Sequence, residues 1–332
     1  MVVSNIHGRC RAEMRLFFGA VCVALVIILC IAGALYSYAG MYGINVVLRR
    51  GGSIWLASGP NDPRISPAMK LALSEANPTV TAGDLTWREI RPGFQVSELQ
   101  ALAGGREVDR VALARIDPAR FRFAVKSRPS GDKDLQGWME LLGAALVING
   151  SYFSGEGTPA TPLLSDGVRS GPAAYHATHG AFVASKASAG VEDLATMHWS
   201  KAFAGTNDAM VSYPMLIGSD GGSRVTPSNW LANRSFVAQD VDGYIVLGTT
   251  VDGFFSLSRL ADFLRQSPLK LKTALNLDGG PVACQGISLG GFVRDQCGKF
   301  EMRNVGGRFR SLVQLFGERR ATMPIVLAVF PR

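Results

Sequence analysis

Leu16–Leu35 form a run of 20 residues without a charged side chain, and this run constrains the chain more than any other feature. As an α-helix rising about 1.5 Å per residue, it is long enough to cross the roughly 30 Å hydrocarbon core of a membrane. Arg9, Arg11 and Arg15 precede it, and positive residues stay on the cytoplasmic side. We therefore predict a cytoplasmic N-terminus over residues 1–15 and a transmembrane signal anchor over residues 16–37.

A cleaved signal peptide is the rival interpretation of this segment, because Ala32-Gly33-Ala34 resembles a small-residue cleavage site. The apolar run is longer than the roughly 7–15 residues usual for a signal peptide. This length favours an uncleaved anchor. The expected location is a single pass through the inner membrane, with the C-terminal domain in the periplasm or extracytoplasmic space and the membrane as one partner.

Charge and composition narrow the other partners. The formal net charge is +8, with 18% charged and 47% hydrophobic residues in a chain of 332. A basic balance suits nucleic acid, an anionic membrane surface or an anionic substrate. The basic residues are scattered and no zinc-finger spacing is present. We therefore expect no nucleic acid, while an anionic membrane surface and an anionic substrate both stay open.

The region after the anchor divides into a linker and a domain. Residues 38–83 contain "SGPNDPRISP" and "EANPTVTAG", and such prolines and small polar residues are typical of linkers. One short helix is expected near residues 68–76. A single compact domain is predicted over residues 84–332.

Short apolar segments dominate the predicted domain. "VDRVALARID", "AALVING", "GYIVLGTTVDG", "TALNLDGG" and "PIVLAVF" have the pattern of strands. "DLQGWMELLG", with Asp132 as its cap, and "SLSRLADFLRQSP" have helical spacing. The strand–helix–strand order near the C-terminus suggests a crossover. We predict an α+β or mixed α/β fold, a single domain on a mixed β-sheet with flanking helices, preceded by the transmembrane helix.

The segment "TALNLDGG" carries the main chemical signal. Side chains alternate along a strand, so Asn276 and Asp278 share one side, opposite two leucines. Three apolar segments end in an Asn-Gly or Asp-Gly dipeptide, at Asn149-Gly150, Asp252-Gly253 and Asp278-Gly279. If these strands are parallel neighbours, their ends meet at one edge of the sheet, where open α/β sheets bind ligands.

Each of these residues also has a simpler interpretation. Asp-Gly is a strong turn signal, so Asp278 and Asp252 are also explained as turn residues. Asn149 suits a left-handed turn position. Arg234 suits a structural or surface ion pair. These alternatives stay open at the level of the residues.

A series of short blocks resembles the phosphodiester glycosidase family, which includes the uncovering enzyme of the mannose-6-phosphate pathway and exported proteins linked to exopolysaccharide synthesis. The blocks occur in the family's order over roughly residues 84–332: "INGSYF", "LLSDG", "YPMLIG", "NRSFVAQDVDGYIVLGTTVDGFFSLSRLADFL" and "ALNLDGG". The family's Asn-Gly-Gly-Phe-Phe block falls on residues 149–153, its arginine on Arg234 and its Leu-Asp-Gly-Gly block on residues 277–280.

The resemblance implies a membrane-anchored exported hydrolase that cleaves a glycosyl phosphodiester or a related envelope glycan. The substrate that it implies is therefore an anionic glycan or sugar phosphate. Its transition state would have oxocarbenium character, which a carboxylate can stabilise or attack. We predict Asp278, Asp252 and Asn149 as catalytic residues, with Asp240 as an alternative second acid. Because the leaving phosphate is already anionic, Arg234 is the expected phosphate clamp. The expected substrate-binding residues are Arg234, Gly150, Asn276, Gly279, Gly280 and Asp240.

Two departures from the family pattern motivate an alternative. Ser151 replaces the usual second glycine, and Pro281, Val282 and Ala283 replace a Gly-Ser-Ser/Thr continuation. The alternative is a non-catalytic glycan-binding or scaffold protein of the cell envelope. A third hypothesis is a metal-dependent hydrolase or transferase of the same fold.

The remaining candidates concern sulfur and metals. Cys284 and Cys297 are either a disulfide in an oxidising compartment or two buried thiols. His176 and His179 are spaced for a metal or a general base, and Glu156 is a reserve acid in a glycine-containing loop. No cofactor is expected, because no full set of metal ligands is visible in the sequence. A divalent metal stays open as an alternative.

Overall fold

The structure, a computed structural model, describes residues 3–50, 53–74, 79–314 and 320–332. These ranges contain five α-helices: α1 (Val3–Arg50), α2 (Pro67–Ser74), α3 (Leu135–Leu142), α4 (Trp199–Ala202) and α5 (Leu257–Gln266). Their strands are β1 (Ser53–Ala57), β2 (Val80–Ala82), β3 (Arg88–Arg91), β4 (Phe94–Ala103), β5 (Arg106–Ile116), β6 (Phe121–Ser127), β7 (Leu146–Asn149), β8 (Leu163–Ser165), β9 (Val168–Ser170), β10 (Gly180–Ala184), β11 (Ala189–Asp193), β12 (Asp208–Ser212), β13 (Met215–Ile217), β14 (Leu231–Ala232), β15 (Ser235–Asp240), β16 (Ile245–Thr250), β17 (Leu271–Asn276), β18 (Cys284–Leu289), β19 (Phe292–Cys297), β20 (Glu301–Val305), β21 (Arg308–Gln314) and β22 (Ile325–Pro331).

The N-terminal apolar run lies in α1, a helix interrupted by non-helical backbone at Gly40. Its segment Met14–Ser37 has a mean hydropathy of 2.9 and none of it is buried against the rest of the protein. An exposed apolar helix of 24 residues is long enough to span a bilayer. The segment is consistent with a single-pass anchor or a signal sequence.

The stretch over residues 38–83, which sequence alone predicts as a linker, contributes folded structure. It contains β1, α2 and β2, and Ile65, Met69 and Ala72 are buried in the domain core. Ser66 Oγ also donates a hydrogen bond to Asp252 Oδ1 at 2.6 Å. Met69 and Ala72 belong to α2, the short helix that the sequence predicts near residues 68–76. The described part of this stretch thus has folded elements where its prolines suggest a linker. The end of the predicted short helix lies outside the described residues.

The central element is an eight-stranded sheet that orders its strands β13-β17-β15-β16-β5-β4-β2, with β3 paired to β4. Strand β15 is antiparallel to both β16 and β17. These two strands therefore run in the same direction, and α5 makes the crossover between them. Every strand pairing in the described ranges is antiparallel, so the fold is the α+β form of the predicted class.

A five-stranded sheet, β19-β18-β7-β22-β6, packs against one face of the central sheet. Alternate side chains of the two sheets form a common core, with Val237 and Leu275 on one side and Ile148 and Leu327 on the other. The opposite face of the central sheet, including Phe236, packs on α5 and α2. A strand with both faces covered must be apolar on both, which explains the continuous apolar runs in the sequence.

Two smaller sheets complete the domain, one ordered β11-β10-β12-β8-β9 and the other β1-β21-β20-β14. Helix α3 covers the outer face of the five-stranded sheet through Leu135 and Trp138. Its N-cap is Asp134, whose side chain accepts from the Gly137 N–H, and not Asp132 as the sequence suggests. Asp132 instead pairs with Arg128.

Candidate active site

The site begins where β17 ends and β15 starts. Because β15 and β17 are antiparallel neighbours, the residue after one lies beside the residue before the other. The Leu277 N–H donates to the Ser235 carbonyl at 2.9 Å. This register brings Asp278 next to Arg234. The acid and the guanidinium are 44 positions apart in the sequence. They nevertheless lie together where these two neighbouring strands of the central sheet end and begin.

Strand β7 of the second sheet ends at the same place. The Asp278 N–H donates to the Gly150 carbonyl at 3.1 Å, and Asn149 Nδ2 donates to the Asp278 carbonyl at 2.7 Å. Asn149 Oδ1 accepts from the Cys284 N–H at 3.2 Å. Asn149 is buried, and both ends of its amide hold the backbone around Asp278. This geometry fits a positioning residue more closely than a catalytic one.

The guanidinium of Arg234 is buried and donates hydrogen bonds to two backbone carbonyls. Nε donates to the Phe255 carbonyl at 3.2 Å, and Nη2 donates to the Trp230 carbonyl. Burial lowers the pKa of Arg234, while the nearby Tyr152, Glu301 and Asp278 raise it. Two neutral carbonyls thus fix the cation in position, and the acidic groups of Glu301 and Asp278 lie near enough to act on its pKa.

Gly279 lies directly against this guanidinium. A Cβ atom at this position would lie 3.4 Å from Arg234 Nη1 and 3.0 Å from the Asn233 carbonyl oxygen. The Gly279 N–H donates to Asp278 Oδ1 at 2.8 Å, so the same residue orients the carboxylate. Gly280 follows in a left-handed conformation with φ of 69° and contacts the Glu301 carboxylate. Both glycines therefore permit close approaches within the site.

Asn276 joins the site to an aromatic residue that sequence reasoning missed. Its Nδ2 donates to Tyr152 Oη at 2.7 Å and to the Tyr213 carbonyl at 3.0 Å. Asn276 Oδ1 is buried without a hydrogen-bond partner in the described part of the chain. Because Asn276 occupies an acceptor position of Tyr152, the phenol hydrogen is directed elsewhere. Burial and the charge of Asp278 raise the pKa of Tyr152, which keeps this hydrogen in place.

The rings of Tyr152, Tyr213 and His179 stack in sequence. The centroids of Tyr152 and Tyr213 are 4.3 Å apart, and those of Tyr213 and His179 are 4.6 Å apart. The "INGSYF" and "YPMLIG" blocks contain both tyrosines, so the motifs were visible. What the sequence could not reveal is that two separate loops bring the rings together.

Asp252 follows the end of β16, which lies on the same side of the central sheet as the end of β17, but its carboxylate is bonded to other groups. Its Oδ1 accepts from Ser66 Oγ at 2.6 Å and from the Gly253 N–H at 2.6 Å. Its own N–H donates to Asp109 Oδ1 at 2.8 Å, and burial raises the pKa of Asp109 to about 8. Two strand spacings, roughly 10 Å, separate β16 from β17. These contacts describe a turn residue.

Asp240 lies at the opposite end of β15 from Arg234, roughly 20 Å away over six strand residues. Its Oδ2 pairs with Arg115 Nε at 2.6 Å, and its Oδ1 accepts from the N–H groups of Asp242 and Tyr244. A cavity of about 770 Å³ lies at this end. The structure therefore does not bring Asp240 to Asp278, since the two lie at opposite ends of β15. The sequence pattern alone could not indicate which end of this strand lies at the site.

The segment that departs from the family pattern forms a short 3₁₀ turn over Gly280–Val282. Val282 and Ala283 are buried, while Pro281 is partly exposed. A disulfide joins Cys284 and Cys297, the first of the two alternatives for this pair. Ser151 is buried beneath the site. Of the residues that depart from the family pattern, Ser151, Val282 and Ala283 are thus buried, and only Pro281 is partly exposed.

The histidine pair adjoins the site through Tyr213, and the two rings are 6.2 Å apart. His179 Nδ1 accepts from the His176 N–H at 3.3 Å. Burial, followed by the charge of His176, lowers the pKa of His179. Within the described ranges, no three His, Cys, Asp or Glu residues cluster as metal ligands would. Glu156 is exposed in the loop after Phe153.

The fold and this site define a sheet-rich α+β protein in which strand ends from two sheets present a carboxylate beside a buried guanidinium. Residues 142–284 match the phosphodiester glycosidase family. The resemblance inferred from the sequence blocks is therefore confirmed over this range, which includes Asn149, Arg234 and Asp278.

Three solved structures are similar to this chain. The catalytic domain of zebrafish N-acetylglucosamine-1-phosphodiester α-N-acetylglucosaminidase, auto-inhibited by its pro-peptide, has 14% identity and a TM-score of 0.48, covering 84% of this chain and 88% of that one. A Synechocystis protein has 15% identity and a TM-score of 0.45, with coverages of 75% and 64%. A Burkholderia pseudomallei protein described as exported has 10% identity and a TM-score of 0.45, with coverages of 84% and 100%. No curated protein gives a significant match.

Proposed function

We propose that the protein is an exported, membrane-anchored hydrolase that cleaves glycosyl phosphodiesters or related envelope glycans at the anomeric carbon. The observation that carries this proposal is the placement of Asp278 beside Arg234 at an edge of the central sheet. The match to the phosphodiester glycosidase family over residues 142–284 supports the reaction class. A sugar-1-phosphate diester has the two features that this pair complements, a developing positive charge and a fixed negative one.

Arg234 is the proposed phosphate ligand. Its Nη1 lies next to Gly279, where an added Cβ atom would lie 3.4 Å from it. A phosphate ester leaves as an anion, so a cation assists its departure more than a proton does. The fixed geometry of the guanidinium costs little reorganisation during the reaction.

Asp278 is the proposed catalytic carboxylate. It is partly exposed, and the Gly279 N–H orients its Oδ1. A carboxylate at the anomeric carbon can attack it or stabilise the oxocarbenium-like transition state. Tyr152 supplies a protonated hydroxyl beside this carboxylate for a substrate oxygen, and Asn276 holds that hydroxyl. Asn149 positions the loop that carries Asp278.

The proposed location is outside the cytoplasm. Arg9, Arg11 and Arg15 precede the apolar segment of α1 and favour a cytoplasmic N-terminus. The disulfide between Cys284 and Cys297 suits an oxidising compartment. We therefore propose that the domain lies in the periplasm and that α1 anchors it to the inner membrane.

The direct test is turnover of a glycosyl phosphodiester by the full-length protein in detergent micelles. Uridine diphosphate N-acetylglucosamine and an aryl phosphodiester of the same sugar serve as substrates. Asp278→Asn should lower kcat about 10³-fold, within the range for a catalytic carboxylate. Asp262→Asn is the matched control, because it removes an exposed carboxylate from α5.

Equal turnover by the wild type and Asp278→Asn would reject the role of Asp278. The partial exposure of Pro281 in place of a smaller residue motivates the alternative of a non-catalytic glycan-binding protein. That alternative predicts saturable glycan binding without release of a phosphate-bearing product. The two outcomes are separated by following product formation and binding in the same preparation.

A further inference from the structure

One face of the small sheet β1-β21-β20-β14 carries an unusual set of side chains. Arg303 on β20 lies opposite Arg310 on β21, and Trp55 on β1 lies opposite Leu312 on β21. Directly opposed residues of antiparallel strands share a face, as do residues two apart on one strand. Trp55, Arg303 and Arg310 therefore lie on the same face, together with Arg308, which is two positions from Arg310. We call these four residues and Trp230 the Trp–Arg face.

Arg303 is held between two indole rings. Its guanidinium carbon is 4.3 Å from the ring centroid of Trp55 and 5.9 Å from that of Trp230. The two indoles meet edge to face, with centroids 6.2 Å apart. Cation–π contacts of this kind fix the guanidinium plane. The Nε atom of Arg303 is buried without a hydrogen-bond partner among the described residues.

Trp230 connects this face to the candidate active site. Its carbonyl accepts from Arg234 Nη2, and its indole N–H donates to Glu301 Oε1 at 3.1 Å. Glu301 in turn contacts Gly280. A cavity of about 700 Å³ is lined by Pro281 and Glu301 from the site side and by Ser53 and Leu312 from the small sheet. The cavity thus borders both Pro281, which follows the two glycines of the site, and strands β1 and β21 of the small sheet. The link from the site to the Trp–Arg face itself is made by the contacts of Trp230.

The chemistry of the face fits an anionic saccharide. Trp230 is 39% exposed as a residue, and the apolar C–H surface of a pyranose packs on an aromatic ring of this kind. Arg308 and Arg310 are exposed and add positive charge. A lipid surface fits less well, because Trp55 is partly buried and the indole N–H of Trp230 is hydrogen-bonded to Glu301 and is therefore not available to a lipid headgroup.

We propose that the Trp–Arg face is a second binding site for the glycan chain, which takes saccharide units bearing phosphate or carboxylate groups beyond the bond at Asp278. This proposal rests on the proposed function for its orientation, since it treats the Asp278 site as the point of cleavage. Its ligand would stack on Trp230 and place its charge near Arg303 and Arg310. The face would then favour polymeric substrates over short ones.

The experiment measures binding and not turnover. Phosphomannan and neutral mannan are titrated into full-length Asp278→Asn protein in detergent micelles, in which the proposed chemistry is disabled. Phosphomannan should bind more tightly than mannan. Adding Arg303→Gln should weaken phosphomannan binding about tenfold, as expected for loss of one charge-assisted contact. Adding Trp230→Phe, which keeps an aromatic ring, should weaken it less.

Arg265→Gln is the control, because it removes an exposed positive charge from α5, and it should leave the affinity within about twofold. Thermal unfolding of each variant verifies that the domain is folded. Equal affinity for both glycans, or unchanged phosphomannan binding in Arg303→Gln, would overturn the proposal. Arg303-dependent binding to phosphatidylglycerol vesicles without phosphomannan binding would overturn it in favour of a membrane contact. If wild-type turnover equals that of Asp278→Asn, the proposed function fails while this binding result still stands.

Discussion

The two ends of strand β15 hold an arginine and an aspartate in opposite ways. At one end, Asp240 pairs with Arg115 at 2.6 Å, and two backbone N–H groups complete its hydrogen bonds. At the other end, Arg234 donates to two neutral carbonyls and lies beside the partly exposed Asp278. The first arrangement neutralises its charges within the fold. The second keeps a fixed cation beside a carboxylate, and this difference distinguishes a structural pair from a site that can act on a ligand.

The largest effect should follow from replacing the site arginine. Arg234→Lys retains a positive charge but cannot donate to both carbonyls and to a phosphate in the same plane. We expect kcat/KM for a glycosyl phosphodiester to fall about 10²–10³-fold, the usual cost of one transition-state donor. Arg115→Lys is the matched variant at the other end and should leave kcat/KM within about threefold. Equal losses in the two variants would remove the distinction between the ends.

Breaking the closed pair should affect folding instead. Asp240→Asn leaves Arg115 without its buried partner, and loss of one member of such a pair costs about 3 kcal/mol. Arg115 also pairs with Asp242, which offsets part of this cost. The free energy of unfolding, measured by urea denaturation, should fall while the kcat of the folded fraction stays near that of the wild type. A specific loss of kcat would place Asp240 in the site after all.

A smaller effect should come from filling the space beside Arg234. Gly279→Ala introduces a Cβ at 3.4 Å from Arg234 Nη1 and 3.0 Å from the Asn233 carbonyl. Displacing the guanidinium by a few tenths of an ångström should lower kcat/KM about tenfold. Gly59→Ala is the control, because its Cβ would meet no atom within 4 Å. An unchanged kcat/KM in Gly279→Ala would show that the ligand does not use this approach.

The smallest effect concerns pH. Burial lowers the pKa of His179 below its ordinary value of about 6.5. The unfolded chain therefore binds a proton more readily than the folded one, so stability is present above pH 6.5 and falls as the pH drops below it. His179→Phe keeps a ring stacked on Tyr213 and should show a smaller loss of Tm between pH 7.5 and pH 5. An equal loss in both proteins would exclude His179 as the cause.

The sequence singles out three residues that the structure places close together. Strand-ending Asn-Gly and Asp-Gly pairs and the family blocks single out Asn149, Arg234 and Asp278, and the structure brings these three together. Local patterns report where strands end, and the site is built from strand ends. The roles of these residues remain predictions until activity is measured.

The rest depends on long-range packing. Tyr213 reaches the site only because its loop lies against that of Tyr152, a contact that no spacing reveals. Asp252 follows a strand that ends on the same side of the sheet. Its carboxylate, however, accepts a hydrogen bond from Ser66, which lies in a segment predicted as a linker. Asp240 has the same residue type and a similar turn context, yet the direction of β15 places it at the far end.

The central claim is that Asp278 and Arg234 confront one bound molecule. The most direct measurement is a crystal structure of the Asp278→Asn protein with α-N-acetylglucosamine 1-phosphate. We predict a phosphate oxygen within about 3 Å of Arg234 Nη1 and the anomeric carbon facing residue 278. A sugar phosphate bound instead at the Arg115 end of β15, with the Arg234 site left empty at saturating ligand, would contradict the account.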